Sequence, residues 1–164
     1  MIKELLKEIL IKYFPWAWIK RKIYSRDIFE EDIKISPRVT EPIIINISSE
    51  IPCIDMYLEI ENRSQYCKII ANYIQFELWV RDDNGIHLLV GQNYILLSEK
   101  IEPKKCSSIF RRLDLTNSQI ELLNKAKKSK DVTIQLKMKA YIQSPMYDII
   151  KNTSIENLHC KIYG

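Results

Sequence analysis

Residues 132–143 read Val-Thr-Ile-Gln-Leu-Lys-Met-Lys-Ala-Tyr-Ile-Gln, and this stretch decides the fold class. Apolar residues occupy every second position, and the residues between them are mostly polar. Successive side chains of a β-strand point to opposite faces of a sheet, so the alternation is typical of a strand with one buried face and one solvated face. The stretch therefore predicts an antiparallel sheet that covers a core on one side only.

The same alternation occurs at 54–61 and 69–80. The second of these runs into Asn84-Gly85, a pair that supplies the positive φ angles of a tight hairpin, so strand 86–97 is expected to return antiparallel to it. Shorter strands are predicted at 43–47, 107–115 and 156–163. About seven strands with polar outer faces predict a mainly β protein, an antiparallel immunoglobulin-like β-sandwich.

One short helix is expected to interrupt the strands at 117–128. Thr116 or Asn117 can cap its first turn, and lysines fall in its last turn, where the helix dipole favours cations. Its apolar stripe consists of Ile120, Leu122, Leu123 and Ala126.

Three local features carry a family resemblance. They are Leu58-Glu-Ile-Glu-Asn62 at the end of a strand, the return through Asn84-Gly85, and Ile101-Glu-Pro103 before the next strand. Their order resembles the immunoglobulin-like domains of the late-embryogenesis-abundant type 2 family over roughly residues 43–143. The resemblance implies an interaction or structural module without catalytic residues.

The first 26 residues carry the positive charge of the chain. They hold seven Lys or Arg against two Glu, a net charge of +5, whereas residues 27–164 hold 18 basic and 19 acidic groups, a net charge of −1. We therefore divide the chain into a basic segment at 1–26, an acidic, Pro-containing connector at 27–42, and a β-sandwich domain at 43–164.

The basic segment is expected to form an amphipathic helix over residues 2–13. The spacing of its apolar residues is that of one helix face, and Pro15 ends the pattern. Two tryptophans and a basic triplet follow. The candidate docking residues are Ile2, Leu5, Leu6, Ile9, Tyr13, Trp16, Trp18, Lys20, Arg21 and Lys22.

The apolar face of this helix needs a surface to pack against, and the sequence leaves four open. The leading hypothesis is a non-enzymatic binding or assembly module whose helix docks to a protein partner, to a second copy of the chain, or across its own sheet. The alternative is peripheral attachment to an anionic membrane through Trp16, Trp18 and the triplet Lys20-Arg21-Lys22, where each cation contributes about 1 kcal/mol.

Nucleic-acid binding ranks below both. The pairs Lys104-Lys105 and Arg111-Arg112 and the lysines at 125–130 could contact phosphates, with Tyr66 and Tyr73 for base stacking. However, residues 27–164 are slightly acidic, and nucleic-acid-binding surfaces are basic.

No catalytic constellation stands out in the sequence. Only His87 and His159 are present, three glycines cannot build a phosphate-binding loop, and the cysteines form no C-x-x-C pair. We predict no enzyme activity, no cofactor, no metal and no small-molecule substrate. The first residues form no secretory signal, so we expect a cytoplasmic protein, with the inner face of the membrane as the alternative location. Its cysteines are expected to be unpaired thiols; they are Cys53, Cys67, Cys106 and Cys160.

Overall fold

A computed structural model describes residues 3–6, 9, 21–39, 43–81, 87–127, 133–158 and 161–163. These residues contain nine strands and two complete helices. In chain order they are α1 Arg26–Asp32, β1 Ile33–Pro37, β2 Ile43–Asn46, β3 Cys53–Asn62, β4 Ile69–Arg81, β5 His87–Ile101, β6 Lys105–Asp114, α2 Asn117–Lys127, β7 Ile134–Gln143, β8 Asp148–Leu158 and β9 Lys161–Tyr163. Residues 3–6, 9 and 21–23 are also helical.

The strands form two sheets, which we call sheet A and sheet B. In sheet A, strands β1 and β2 both pair antiparallel with β3, and β6 pairs with the other edge of β3 along its whole length. The short β9 extends sheet A by pairing parallel with β2. Sheet B is antiparallel throughout, in the order β5-β4-β7-β8.

The two sheets share one hydrophobic core. Alternate residues of β3 and β7 have no more than 3% of their surface exposed, because one face of each strand turns inward. Gly91 on β5 illustrates the contact between sheets. A Cβ atom at this position would lie 3.4 Å from Leu113 and 3.7 Å from Ile54, both in sheet A.

The mainly β prediction with two sheets is confirmed, but the strand count differs. The return of β5 antiparallel to β4 agrees with the sequence, although the Asn84-Gly85 turn lies outside the described residues. The described residues hold nine strands where about seven were expected. Residues 33–37 add β1, and β8 and β9 replace the single strand predicted at 156–163. The sequence does not indicate β8 clearly, because the four polar residues Lys151-Asn-Thr-Ser154 interrupt any apolar alternation.

The segment 27–42 does more than connect two parts of the chain. It contains all of β1 and most of α1, and Phe29, Ile33 and Ile35 are at most 2% exposed. Ser25 caps α1, because its side-chain oxygen accepts a hydrogen bond from the Ile28 backbone N–H at 3.3 Å. The acidic residues of this segment lie next to the buried ones, so the sequence pattern indicated an exposed connector and not a part of the core.

Helix α2 begins as the sequence predicts. The Thr116 side chain accepts a hydrogen bond from the Gln119 backbone N–H, and the Gln119 side chain accepts one from the Thr116 backbone N–H at 2.8 Å. This reciprocal pair is a capping box. Leu123 and Ala126 bury the helix against the core.

Candidate functional site

The apolar stripe of the N-terminal segment faces solvent where the structure describes it. Residues 3–6 and 9 are helical, and the side chains of Leu5, Leu6 and Ile9 are 60%, 52% and 45% exposed. We call these three residues the N-terminal stripe. They are not part of the core of their own chain. The other predicted docking residues of this segment lie outside the described residues; they are Ile2, Tyr13, Trp16, Trp18 and Lys20.

Arg21 holds the end of the basic segment against the body of the protein. Its Nε donates a hydrogen bond to the Met146 carbonyl at 3.1 Å, and its guanidinium lies 5.7 Å from the centre of the Tyr147 ring. The Tyr147 hydroxyl in turn donates to the backbone carbonyls of Arg21 and Tyr24, at 3.1 and 2.8 Å. Arg21 therefore has a structural partner in the body of the protein.

Helix α1 continues this attachment along the start of β8. Arg26 donates to the Asp148 carbonyl at 3.3 Å, and Lys151 donates to the Glu30 carbonyl at 2.7 Å. Between these two contacts, Phe29 is fully buried and its ring lies 5.7 Å from that of Tyr147. The chain is thus fixed to the body from residue 21 onward, and the N-terminal stripe precedes that point.

A buried polar cluster lies where α1 meets the loop after β3. Asn62 is fully buried, and its side-chain amide donates to the carbonyls of Cys67 and Ile101 at 3.0 and 3.1 Å. Tyr24 donates a hydrogen bond to the Asp32 carboxylate. Burial, and then this hydrogen bond, raise the pKa of Tyr24 far above its usual value. The cluster ties α1, the loop after β3 and the end of β5 together.

The outer face of sheet B carries an apolar row that crosses all four strands. Leu96 pairs with Tyr73, Tyr73 with Tyr141, and Tyr141 with Ile150. Leu96 is 75% exposed and Ile150 46% exposed, and the two tyrosines between them are partly exposed. Tyr94 adjoins the row and stacks on Tyr73 at 4.9 Å. We call Leu96, Tyr73, Tyr141 and Ile150 the apolar row.

A polar groove of about 510 Å³ lies beside the apolar row. At one end the Lys137 ammonium lies 4.9 Å from the centre of the Trp79 ring, and the Trp79 indole N–H donates to Glu77 at 3.0 Å. The groove is therefore mixed in charge. Its lining comprises Gln75, Glu77, Lys137, Met138, Lys139, Asn152, Thr153 and Ser154.

The structure distributes the nucleic-acid candidates over separate places. Arg112 makes two 2.7 Å hydrogen bonds to the carboxylate of Asp55 on sheet A. Tyr66 packs against Tyr24 with ring centres 4.9 Å apart, whereas Tyr73 lies on the outer face of sheet B. These groups do not share one surface.

The cysteines were predicted to be unpaired thiols. Cys53 and Cys67 are buried and Cys106 is exposed, and these three form no disulfide. Partial burial, and then the nearby carboxylates of Glu59 and Glu61, raise the pKa of the Cys106 thiol. Cys160 lies outside the described residues. In the part of the chain that the structure describes, no three His, Cys, Asp or Glu side chains are grouped to hold a metal ion.

No helix within the described ranges is long and apolar enough to cross a membrane. No protein-family model matches the sequence, and no curated protein matches it.

Several solved structures are similar at low identity. An Archaeoglobus fulgidus protein is 13% identical, with 77% of this chain and 96% of that chain covered and a TM-score of 0.41. An Arabidopsis thaliana protein is 10% identical, with 78% and 79% covered and a TM-score of 0.44. Red sea bream transglutaminase is 14% identical, with 90% and 20% covered and a TM-score of 0.39. Likeness of this degree does not establish a shared function.

Sequence reasoning named Tyr73 but missed the rest of the apolar row. The available signal was Tyr141, an aromatic residue on the polar side of the alternation at 132–143. Leu96 and Ile150 gave no signal, because only the strand register places them in line with the two tyrosines.

Proposed function

We propose that the protein is a non-enzymatic binding or assembly module, and that its N-terminal helix docks to a protein partner or to a second copy of the chain. The observation that carries this proposal is the exposure of the N-terminal stripe, Leu5, Leu6 and Ile9, on a helix that precedes the attached part of the chain.

Energetics favour an external partner for this helix. Complete burial of an exposed Leu or Ile side chain contributes about 1.5–3 kcal/mol, and roughly half of each of these three side chains is still exposed, so a partner that covers them gains roughly half of that amount from each. Contiguous apolar surface of this kind marks an interaction site. The +5 charge of residues 1–26 would favour a partner surface that is neutral or acidic.

The membrane alternative has less support. It relies on Trp16, Trp18 and the triplet Lys20-Arg21-Lys22, yet the Arg21 guanidinium is engaged with Met146 and Tyr147. Peripheral attachment becomes the better explanation only if the intact chain binds anionic vesicles.

We further infer that the two sheets form an immunoglobulin-like sandwich. If β3 and β4 correspond to strands B and C, sheet A has the order A-B-E and sheet B the order C′-C-F-G, which is close to the arrangement of that fold. The resemblance to the late-embryogenesis-abundant type 2 family stays a prediction. Such a fold is compatible with a binding module but does not specify one.

The test is the double variant Leu6→Asp, Ile9→Asp. It places two charges where apolar contacts are expected, so assembly measured by light scattering after gel filtration should be lost while the β-sheet circular dichroism spectrum is unchanged. Ile51→Asp is the matched control, because Ile51 is 65% exposed but lies outside the N-terminal segment.

The outcomes separate the hypotheses. Loss of the folded body in the double variant would mean that the helix belongs to the core, contrary to the proposal. If the wild-type chain instead binds anionic vesicles at low salt and high salt releases it, the membrane alternative replaces the proposal.

A further inference from the structure

We propose that the apolar row on sheet B receives the N-terminal helix of a second copy of this chain, so that two copies exchange helices in a symmetric dimer. This inference rests on the proposed function and names the partner of the same helix. A two-fold axis makes each copy both donor and acceptor, which is the usual form of a homodimer interface.

The apolar row is an unusual feature for a solvated sheet face. It runs perpendicular to the strands and joins one edge of sheet B to the other, with Leu96 and Ile150 at its ends. The two central tyrosines stand with ring centres 5.8 Å apart and the planes of their rings nearly parallel. Because the rings already cover one another, the row offers an apolar ridge rather than open ring faces for stacking a base or a sugar.

The length of the row matches the length of the helix. Four strands about 4.8 Å apart span roughly 14 Å between the outermost strands. The helix that the sequence predicts over residues 2–13 would rise about 1.5 Å per residue, or about 17 Å in all. A helix laid across the strands can therefore cover the whole row with the N-terminal stripe at its centre.

Helix exchange supplies the area that a stable dimer needs. A standard interface buries about 1,600 Å² in total, so two symmetric contacts need to bury only about 400 Å² from each helix and the same from each row. On the sheet side most of this area comes from Leu96, Ile150 and the adjoining Tyr94, which are 75%, 46% and 53% exposed, because Tyr73 and Tyr141 are already partly covered.

The first experiment joins the two surfaces by a disulfide between different chains. Both chains carry Cys106→Ser, which removes the thiol that is exposed among the described cysteines. One chain then carries Ile9→Cys and the other Ile150→Cys. Mild oxidation of the mixture should give a mixed dimer, in which mass spectrometry identifies the 9–150 linkage. In the control mixture, Ile51→Cys replaces Ile150→Cys and should give at least tenfold less product.

Two results would overturn the inference. One is equal cross-linking to positions 150 and 51, which would indicate random collision. The other is a chain with both cysteines that forms the 9–150 linkage only within itself at every protein concentration, which would show that the helix folds back on its own sheet.

The second experiment separates this inference from the proposed function. Leu96→Asp with Ile150→Asp changes the sheet side alone and should weaken dimerisation at least tenfold, as Leu6→Asp with Ile9→Asp does on the helix side. If only the helix variant abolishes assembly, the proposed function stands and the apolar row is not the acceptor. If neither variant affects assembly, both are wrong. A monomeric wild-type chain would also overturn the dimer.

Discussion

At the residue scale, one buried amide links three parts of the fold. Asn62 ends β3 and links it to the loop after it and to the end of β5, through carbonyls of Cys67 and Ile101. Its side-chain oxygen also accepts from the Ser64 backbone N–H at 3.1 Å. All three hydrogen bonds lie away from water. By contrast, the ion pairs of Arg63 and Arg38 lie at the surface, where such pairs contribute little.

We predict that Asn62→Ala lowers the free energy of unfolding by about 3 kcal/mol, because it leaves three buried polar groups without a partner. Urea unfolding at neutral pH measures the change. Asn152→Ala on the exposed face of β8 is the control and should stay within about 0.5 kcal/mol of wild type. Equal effects of the two substitutions would contradict the role assigned to Asn62.

The raised pKa of Tyr24 predicts that the protein loses stability at alkaline pH. Burial and the hydrogen bond to Asp32 raise its pKa, so the folded protein keeps the phenolic proton, whereas the unfolded chain releases it near pH 10. Above that pH the unfolded state binds fewer protons than the folded state, and the free energy of unfolding therefore falls as pH rises.

Thermal unfolding of wild type and Tyr24→Phe tests this prediction. At pH 7 the variant should be less stable, because it loses the hydrogen bond to Asp32. Between pH 9 and pH 11 the wild type should lose stability faster, so the difference in melting temperature should shrink. Parallel curves over this range would rule out Tyr24 as the titrating group.

At the element scale, α1 is the point at which the N-terminal segment becomes part of the domain. Its seven residues are too few for an isolated helix to be stable in water. It is held by the Ser25 cap, by the hydrogen bonds of Arg26 and Lys151, and by the burial of one aromatic ring. Helix α1 therefore depends on tertiary contacts.

Two neighbouring residues of α1 provide the test. Phe29→Ala removes a fully buried ring and should cost about 3–5 kcal/mol, whereas Ile28→Ala removes a side chain that is 46% exposed and should cost less than about 1 kcal/mol. Urea unfolding of both variants measures the difference. A mild effect of Phe29→Ala would mean that the segment is only a connector, as the sequence suggested.

At the scale of the whole molecule, the protein consists of two sheets around one core, with the N-terminal stripe and the apolar row left exposed. The inner faces of the sheets account for the fold, and these two outer features account for the proposed assembly. They lie on different elements, so one copy can offer both at once.

The sequence by itself determined the strands that alternate and the helix that is capped. β3, β4, β6, β7 and α2 were predicted with boundaries close to those observed, because side-chain periodicity and capping are local properties of the chain. The apolar face of the N-terminal helix was also predicted from helical spacing, whereas its exposure was not.

Only the tertiary structure decided which segments joined the core and which residues became neighbours. The sequence did not indicate the burial of β1 and α1, because acidic residues lie among their apolar ones. Their burial depends on contacts with β3 and β8, which are distant in sequence. The apolar row likewise exists only through strand register. A register shift of one residue would turn Tyr73, Tyr141 and Ile150 inward, and register depends on the packing of both sheets and not on any single strand.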